Sequence, residues 1–176
     1  MLAVAACSDD STTDSAAAPS TTAGPVVTTT TQPRPSTTTT SLIGVSTEFG
    51  RAVVELDGMP LTVAVADTND ERSRGLMGVE VLNPLDGMLF VFDNSTIRSF
   101  WMKDTLIPLD IAFFDADGFL VSQTTMALCL DGDCPGYSSE APAQYALEAP
   151  AGSLGGLAGD ARLVIIEALD GSGKEI

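Results

Sequence analysis

An indole, an ammonium and two carboxylates interrupt an otherwise bulky apolar run in SFWMKDTLIPLDIAFFDADG, residues 99–118. Trp101, Lys103, Asp104 and Asp110 stand where Val or Leu would pack at lower cost. Side chains alternate across a β-strand, so Phe100 and Met102 share one face, and Trp101 and Lys103 the other. After the corner at Asp104-Thr105, Leu109, Ile111 and Phe113 form one face, and Asp110, Ala112 and Phe114 the opposite one. If the apolar sets meet in the core, Trp101, Lys103 and Asp110 stand together on a second face. One use of that face is an ion pair, Lys103 with Asp110 or Asp104, with Trp101 covering the lysine stem. The other is a shallow ligand site: Trp101 as platform, Lys103 and Arg74 as donors, Asp110 and Glu148 as acceptors, with Asp104 a further ligand-binding candidate. An aromatic platform flanked by carboxylates suits sugars, whose C–H faces stack while their hydroxyls bridge to acids. Asp110 and Glu148 would also serve glycoside cleavage, provided their carboxyls lie in one open cleft about 5–5.5 Å apart for retention or about 6.5–9.5 Å for inversion.

The chain contains no histidine. Ser-His-Asp and Cys-His nucleophilic sites, imidazole proton shuttling and the usual zinc ligand sets are therefore excluded. DADG at 115–118 has the first residues of a calcium loop but lacks the acid two positions earlier, where Phe113 stands; a tight turn is expected instead. Met77, Met88 and Met102 read as adaptable core packing rather than a soft-metal cluster. No metal or other cofactor is expected. Cys129 and Cys134 flank LDGD; outside the cytoplasm such a pair is expected to form a loop-stapling disulfide, with free thiols or thiol redox chemistry as alternatives.

The formal net charge is −16. The leading segment holds Asp9, Asp10 and Asp14 against Arg34, which leaves about −14 on the remainder. Such a surface opposes nucleic acid and anionic lipid as partners, since both need a basic patch.

The opening MLAVAACSDD places two small residues before Cys7 and resembles a lipoprotein cleavage site, whose cysteine carries the lipid. Residues 1–7 are then the remnant of a signal whose expected start lies further upstream. Eighteen of the 34 residues from Ser8 to Ser41 are Ser or Thr, a composition with too little apolar surface to offset its chain entropy. A disordered tether is expected over 8–46, spanning roughly 30 Å if flexible, and a single domain over 47–176. The expected location is extracytoplasmic, on the outer face of the cell membrane, with the lipid on Cys7 as the membrane partner and an envelope glycan or small molecule as ligand.

The elements that must hold the candidate residues are short. Ala52–Leu56 and Leu61–Ala66, separated by DGMP, read as a hairpin. Thr68 with Glu71 forms a capping box and predicts a short helix over 69–76. GMLFVF at 87–92 is a buried strand by its unbroken apolar character. Strands are further expected over 96–102, 109–114, 119–125 and 161–169, with a glycine-broken turn or helix at 145–152. About eight short strands with one or two short helices predict a mainly β domain, a sandwich or barrel.

RGLMG (74–78), DGMLFVF (86–92), FWMKDTLIPLDIAFFDADG (100–118), CPGYSS (134–139) and YALEAPAG (145–152) follow one another in an order that resembles the bacterial and archaeal domain-of-unknown-function family 192. The resemblance covers roughly residues 51–170 and implies a jelly-roll-like β-sandwich, often found behind a signal peptide. It implies no established activity, so no catalytic residue is carried across. Asp104 departs from the family's usual Asn, and SLGGLAG at 153–159 replaces a more helical stretch. Three functions follow as expectations: a tethered binding or structural module without chemistry, a carboxylate-pair hydrolase, or a thiol redox protein.

Overall fold

The hairpin opens the fold as its turn residues dictate. β1 (Gly50–Leu56) and β2 (Met59–Ala66) pair antiparallel around Asp57 and Gly58, both at positive φ (50° and 82°), which is what a two-residue turn between right-twisted strands requires. The computed structural model describes residues 43–129 and 132–169; the lipidation expected at Cys7 and most of the expected tether lie outside them. Ile43 is already engaged: its carbonyl accepts from the Glu80 and Val81 amides, and its amide donates to the Glu80 carboxylate. The folded part therefore begins ahead of residue 47.

The capping box forms as read. The Thr68 hydroxyl accepts from the Glu71 amide and the Glu71 carboxylate accepts from the Thr68 amide, starting α1 (Asn69–Arg74). The helix ends two residues earlier than expected, at Arg74, and is capped by Gly75, whose φ of 47° lies in the left-handed region. An added Cβ there would meet the Phe90 ring at an ordinary contact distance of 3.4 Å, so it is the positive φ that calls for glycine. This crossover lets β3 (Gly87–Thr96) run parallel to β2, a pairing no tight turn can make.

β4 (Ser99–Trp101), β5 (Leu109–Phe114), β6 (Leu120–Met126), β7 (Gly136–Ser138), β8 (Ala143–Pro150) and β9 (Leu163–Leu169) complete nine strands among the described residues. Seven form one sheet in the order β6-β5-β8-β3-β2-β1-β9, and β4 pairs with β7 in a second. The architecture is mainly β and sandwich-like, as expected. The large sheet is open, although a bridge from Phe119 to Arg162 draws its two edges together at one end.

Both faces of the large sheet are buried. One carries Val54, Val63, Leu89, Phe114 and Leu147. The other carries Met88, Phe90, Ile111 and Phe113, covered by Leu76, Val79 and Met102 and by Phe100 of β4. Phe100 stacks edge-on against Phe90 and Phe113, with centroids 4.9 and 5.6 Å apart. Each such ring contributes about 1.5–3 kcal/mol by burial and fastens the small sheet over the large one.

Residues 145–150 of the segment expected as a turn or helix belong instead to the interior strand β8, paired with β3 on one side and β5 on the other, and only 151–152 form a turn. YALEAP is rich in helix formers, but local propensity yields to tertiary pairing when both neighbouring edges need a partner. The strand expected over 96–102 is split between the end of β3 and the short β4.

Candidate functional site

β4 presents its residues alternately. Phe100 points into the core, while Trp101 and, beyond the strand, Lys103 are exposed, as the pleat predicts. Trp101 is 52 % exposed, and the Lys103 ammonium lies 5.4 Å from its ring centroid. A cation over an exposed indole contributes about 0.5–1 kcal/mol. The backbone of Lys103 bridges Cys129, which is joined to Cys134 in a disulfide (S–S 2.08 Å).

Asp110 does not join this group, which corrects the expected trio. β5 is covered on both faces, so its second face is a second core and not a solvent face. There the Asp110 carboxylate accepts from the Thr125 hydroxyl (2.7 Å) and from the amides of Gly152 (2.7 Å) and Leu154 (3.0 Å). Asp110 is a structural clasp that holds the 151–154 loop against β5.

The carboxylate pair fails for the same reason. Register places Asp110 opposite Ala149 and Ile111 opposite Glu148, so Asp110 and Glu148 emerge on opposite faces of one sheet. No cleft can hold both, and two-carboxylate glycoside cleavage by this pair is excluded. The expected ion pair of Lys103 with Asp110 or Asp104 is also absent; among the described residues the salt bridge is Arg74–Glu48, at 2.9 Å. Asp104 is exposed and lines neither cavity described below. Its φ of 54° accounts for the Asp here and for the Asn usual in the resembled family, the two side chains most tolerant of left-handed backbone.

The remaining four candidates do meet. Arg74, Trp101, Lys103 and Glu148 line a narrow cavity of about 30 Å³ between α1 and β4. That volume admits a water molecule or one ligand group, not a ring. The cavity shares Arg72, Ser73, Phe90, Phe100 and Trp101 with an open groove of about 480 Å³, a size suited to a small organic ligand.

The groove brings in residues the sequence reading did not single out: Arg72, Phe92, Arg98 and Phe100. The two guanidinium groups contact one ring, with Arg98 3.8 Å and Arg72 5.1 Å from the Phe92 centroid. Neutral oxygens hold both in place. Arg72 donates to the carbonyls of Asp67 and Val91 and to the Asn69 amide oxygen. Arg98 donates to the carbonyls of Ala143 and Asn94 and to the Asn94 amide oxygen. Neither forms a salt bridge among the described residues. Burial and then the charge of Arg72 hold Arg98 below the usual guanidinium range, with Asp93 opposing them. Arg74 differs: it stacks on Phe49 at 4.4 Å, and its hydrogen bond and charge hold Glu48 below the usual carboxylate range.

Glu148 closes the inner end. It is 4 % exposed and stands in register with Met88 on one side and Ile111 on the other. Gly87 allows this approach, because a Cβ there would fall 2.2 Å from the Glu148 carbonyl oxygen. Burial pushes the Glu148 carboxyl up to about 8, and no hydrogen bond reaches it from the described residues. A carboxyl so placed is an acid at neutral pH, a donor facing a cavity.

One signal would have found the missed arginines. The chain has eight Lys and Arg residues, and Arg72, Arg74, Arg98 and Lys103 all line these two cavities. In so acidic a chain, asking where the few cations gather points to this place.

A family model described as Uncharacterized ACR, DUF192, matches residues 52–164. No protein of curated function matches the chain. Among solved structures, a protein of Sinorhizobium meliloti 1021 described as a candidate transcription regulator is 29 % identical, with a TM-score of 0.58 over 69 % of this chain and 96 % of that one. A protein of unknown function from Novosphingobium aromaticivorans DSM 12444 is 24 % identical, with a TM-score of 0.55 over 65 % of this chain and 83 % of that one, a likeness of fold.

Proposed function

The chain belongs to the DUF192 family, to which the model matched over residues 52–164 assigns it, and from that premise and its own residues we propose that the domain is a binding module for a small anionic saccharide of the cell envelope. The observation that carries this is the guanidinium pair: Arg72 and Arg98 share the Phe92 ring in an open groove, and neither forms a salt bridge among the described residues, although the Asp67 carboxylate acts on Arg72 and the Asp93 carboxylate on Arg98 from a distance. Such a pair suits a carboxylate or phosphate, which accepts paired N–H bonds. Trp101 at the rim offers the flat apolar surface on which a sugar ring stacks. No nucleophile with an adjacent base lines the groove, so this reading asks for binding and not for chemistry.

In this proposal the domain works outside the cytoplasm, held to the membrane through lipid on Cys7. The description of the Sinorhizobium protein as a transcription regulator does not extend readily to this chain if such a role required direct contact with nucleic acid, which a formal charge of −16 opposes.

Trp101 is the chain's single tryptophan, so intrinsic fluorescence reports the groove directly. Glucuronate, glucose 6-phosphate and glucose form a discriminating set of probes. Saturable changes are expected with the two anions and not with glucose. Arg98→Gln should weaken the anions about 10- to 100-fold, the worth of a lost charged hydrogen bond. Equal responses to glucose and glucuronate, or unchanged affinity in the variant, would refute the proposal.

A further inference from the structure

Glu148 is the group that anion binding alone leaves unexplained. A buried carboxyl without a partner is unfavourable, and an apolar side chain of similar volume would serve the core better. Yet it stands in an interior strand, between Met88 and Ile111, at the wall of a cavity that opens into the groove. We propose that Glu148 is the inner contact of the binding site: its carboxylic acid O–H donates a hydrogen bond to an uncharged oxygen, a hydroxyl or carbonyl, of the ligand whose anionic end lies against Arg72 and Arg98. This rests on the binding reading above and narrows the ligand to an anion that carries a second, neutral oxygen small enough for the inner cavity.

The geometry supports the assignment in three ways. About 30 Å³ accommodates one functional group and little else. The shared lining of Phe90, Phe100 and Trp101 makes the cavity an extension of the groove rather than a separate void. Besides Glu148, the charged groups lining it are Arg72 and Arg74 of α1 and Lys103 beyond β4; β3 contributes the uncharged Phe90, and the register neighbours of Glu148 on β3 and β5, Met88 and Ile111, carry no charge. The donor is present only while the acid is protonated. With its carboxyl near 8, ionisation would both remove the donor and place a second negative charge inside a site for anions.

Glucuronate is a suitable probe, because its own carboxylate stays ionised from pH 6 to 9. Its affinity should be measured by Trp101 fluorescence in the parent protein and in Glu148→Gln, Glu148→Met and Lys103→Gln. The parent should weaken about 10-fold or more between pH 6 and 9. Glu148→Gln, which keeps a donor and cannot ionise, should bind with little pH dependence. Glu148→Met should bind about 10-fold more weakly at pH 6, the worth of one hydrogen bond left unmade. Lys103→Gln should keep the parent's pH profile, which separates the acid from the ammonium. Thermal unfolding of each variant verifies that it is folded. The inference is overturned if Glu148→Met binds as tightly as the parent at pH 6, or if Glu148→Gln follows the parent's profile. Absence of glucuronate binding to the parent at every pH would instead overturn the acidic-saccharide reading of the groove, and this inference with it.

Discussion

The protonation of Glu148 makes a prediction about the fold that needs no ligand. In the unfolded chain the carboxyl has its ordinary value of 4.5; in the folded protein burial takes it to about 8. The folded state therefore holds a proton that the unfolded state has released throughout that interval. Stability falls as pH rises when the native state binds more protons, so this contribution is whole below about pH 4.5 and gone above about pH 8. At about 1.4 kcal/mol for each pH step of one, the loss between pH 5 and 8 is on the order of 4 kcal/mol. That is a large share of the 5–15 kcal/mol typical of a domain. Glu148→Gln removes the titration and leaves the volume nearly unchanged, so the gap between variant and parent should open with pH. Urea unfolding at half-unit steps from pH 5 to 8.5 measures it. With a slope near 2 kcal/mol/M, typical for small proteins, the parent midpoint should fall about 2 M relative to the variant. Glu48 and Glu71, whose carboxyls are held below the ordinary range, lose their contribution as pH falls and do so equally in both proteins. Asp67, raised mainly by burial, is likewise common to both. Midpoints that stay parallel within about 0.3 M across the range would show that Glu148 titrates as an ordinary carboxyl, and the reasoning would fail.

Asp110→Ala should lower stability by about 2–4 kcal/mol in urea, because it strips the acceptor from the amides of Gly152 and Leu154 and from the Thr125 hydroxyl. It should leave probe binding at the groove unchanged, since Asp110 faces the other core. Thr68→Ala removes the capping hydroxyl of α1 and should cost about 1 kcal/mol in the same assay.

The parts of the fold that were readable in sequence are those in which local chemistry and tertiary context agree. Asp57-Gly58 makes its hairpin, the Thr68–Glu71 box starts its helix, and LDIAFF forms the strand its apolar character suggests. The strand YALEAP was not readable, because Ala, Leu and Glu favour a helix and only the two open edges of β3 and β5 make it a strand. That one misreading also hid the sheet face on which Glu148 lies. Alternation correctly separated Trp101 and Lys103 from Phe100 and Met102. It failed at Asp110 through the assumption that a strand has one wet face, when β5 is dry on both sides. Arg98 was overlooked because nothing in NSTIRSF marks it; its meaning comes from Arg72, 26 residues earlier in the chain and brought against the same Phe92 ring by the crossover.

The uneven placement of charge also bears on which anions such a groove would admit. At physiological ionic strength the field of an exposed charge decays over about 8 Å. A ligand no larger than one or two sugar rings, seated on Phe92 and Trp101, would lie within that distance of Arg72, Arg98 and Lys103 and be shielded from most of the acidic surface. A long polyanion would have to follow its backbone out of the groove and across a domain carrying about −14, losing beyond the rim what it gained inside. These three cations would thus select by size as well as by charge. Glucuronate and a long acidic polysaccharide separate the two effects: if the groove reads as proposed, the short anion binds with modest sensitivity to salt, while the polymer gains nothing from its length. A polymer that bound progressively more tightly with each added residue would mean that the cationic surface continues beyond the groove, contrary to the gathering of Arg72, Arg74, Arg98 and Lys103 there among the described residues.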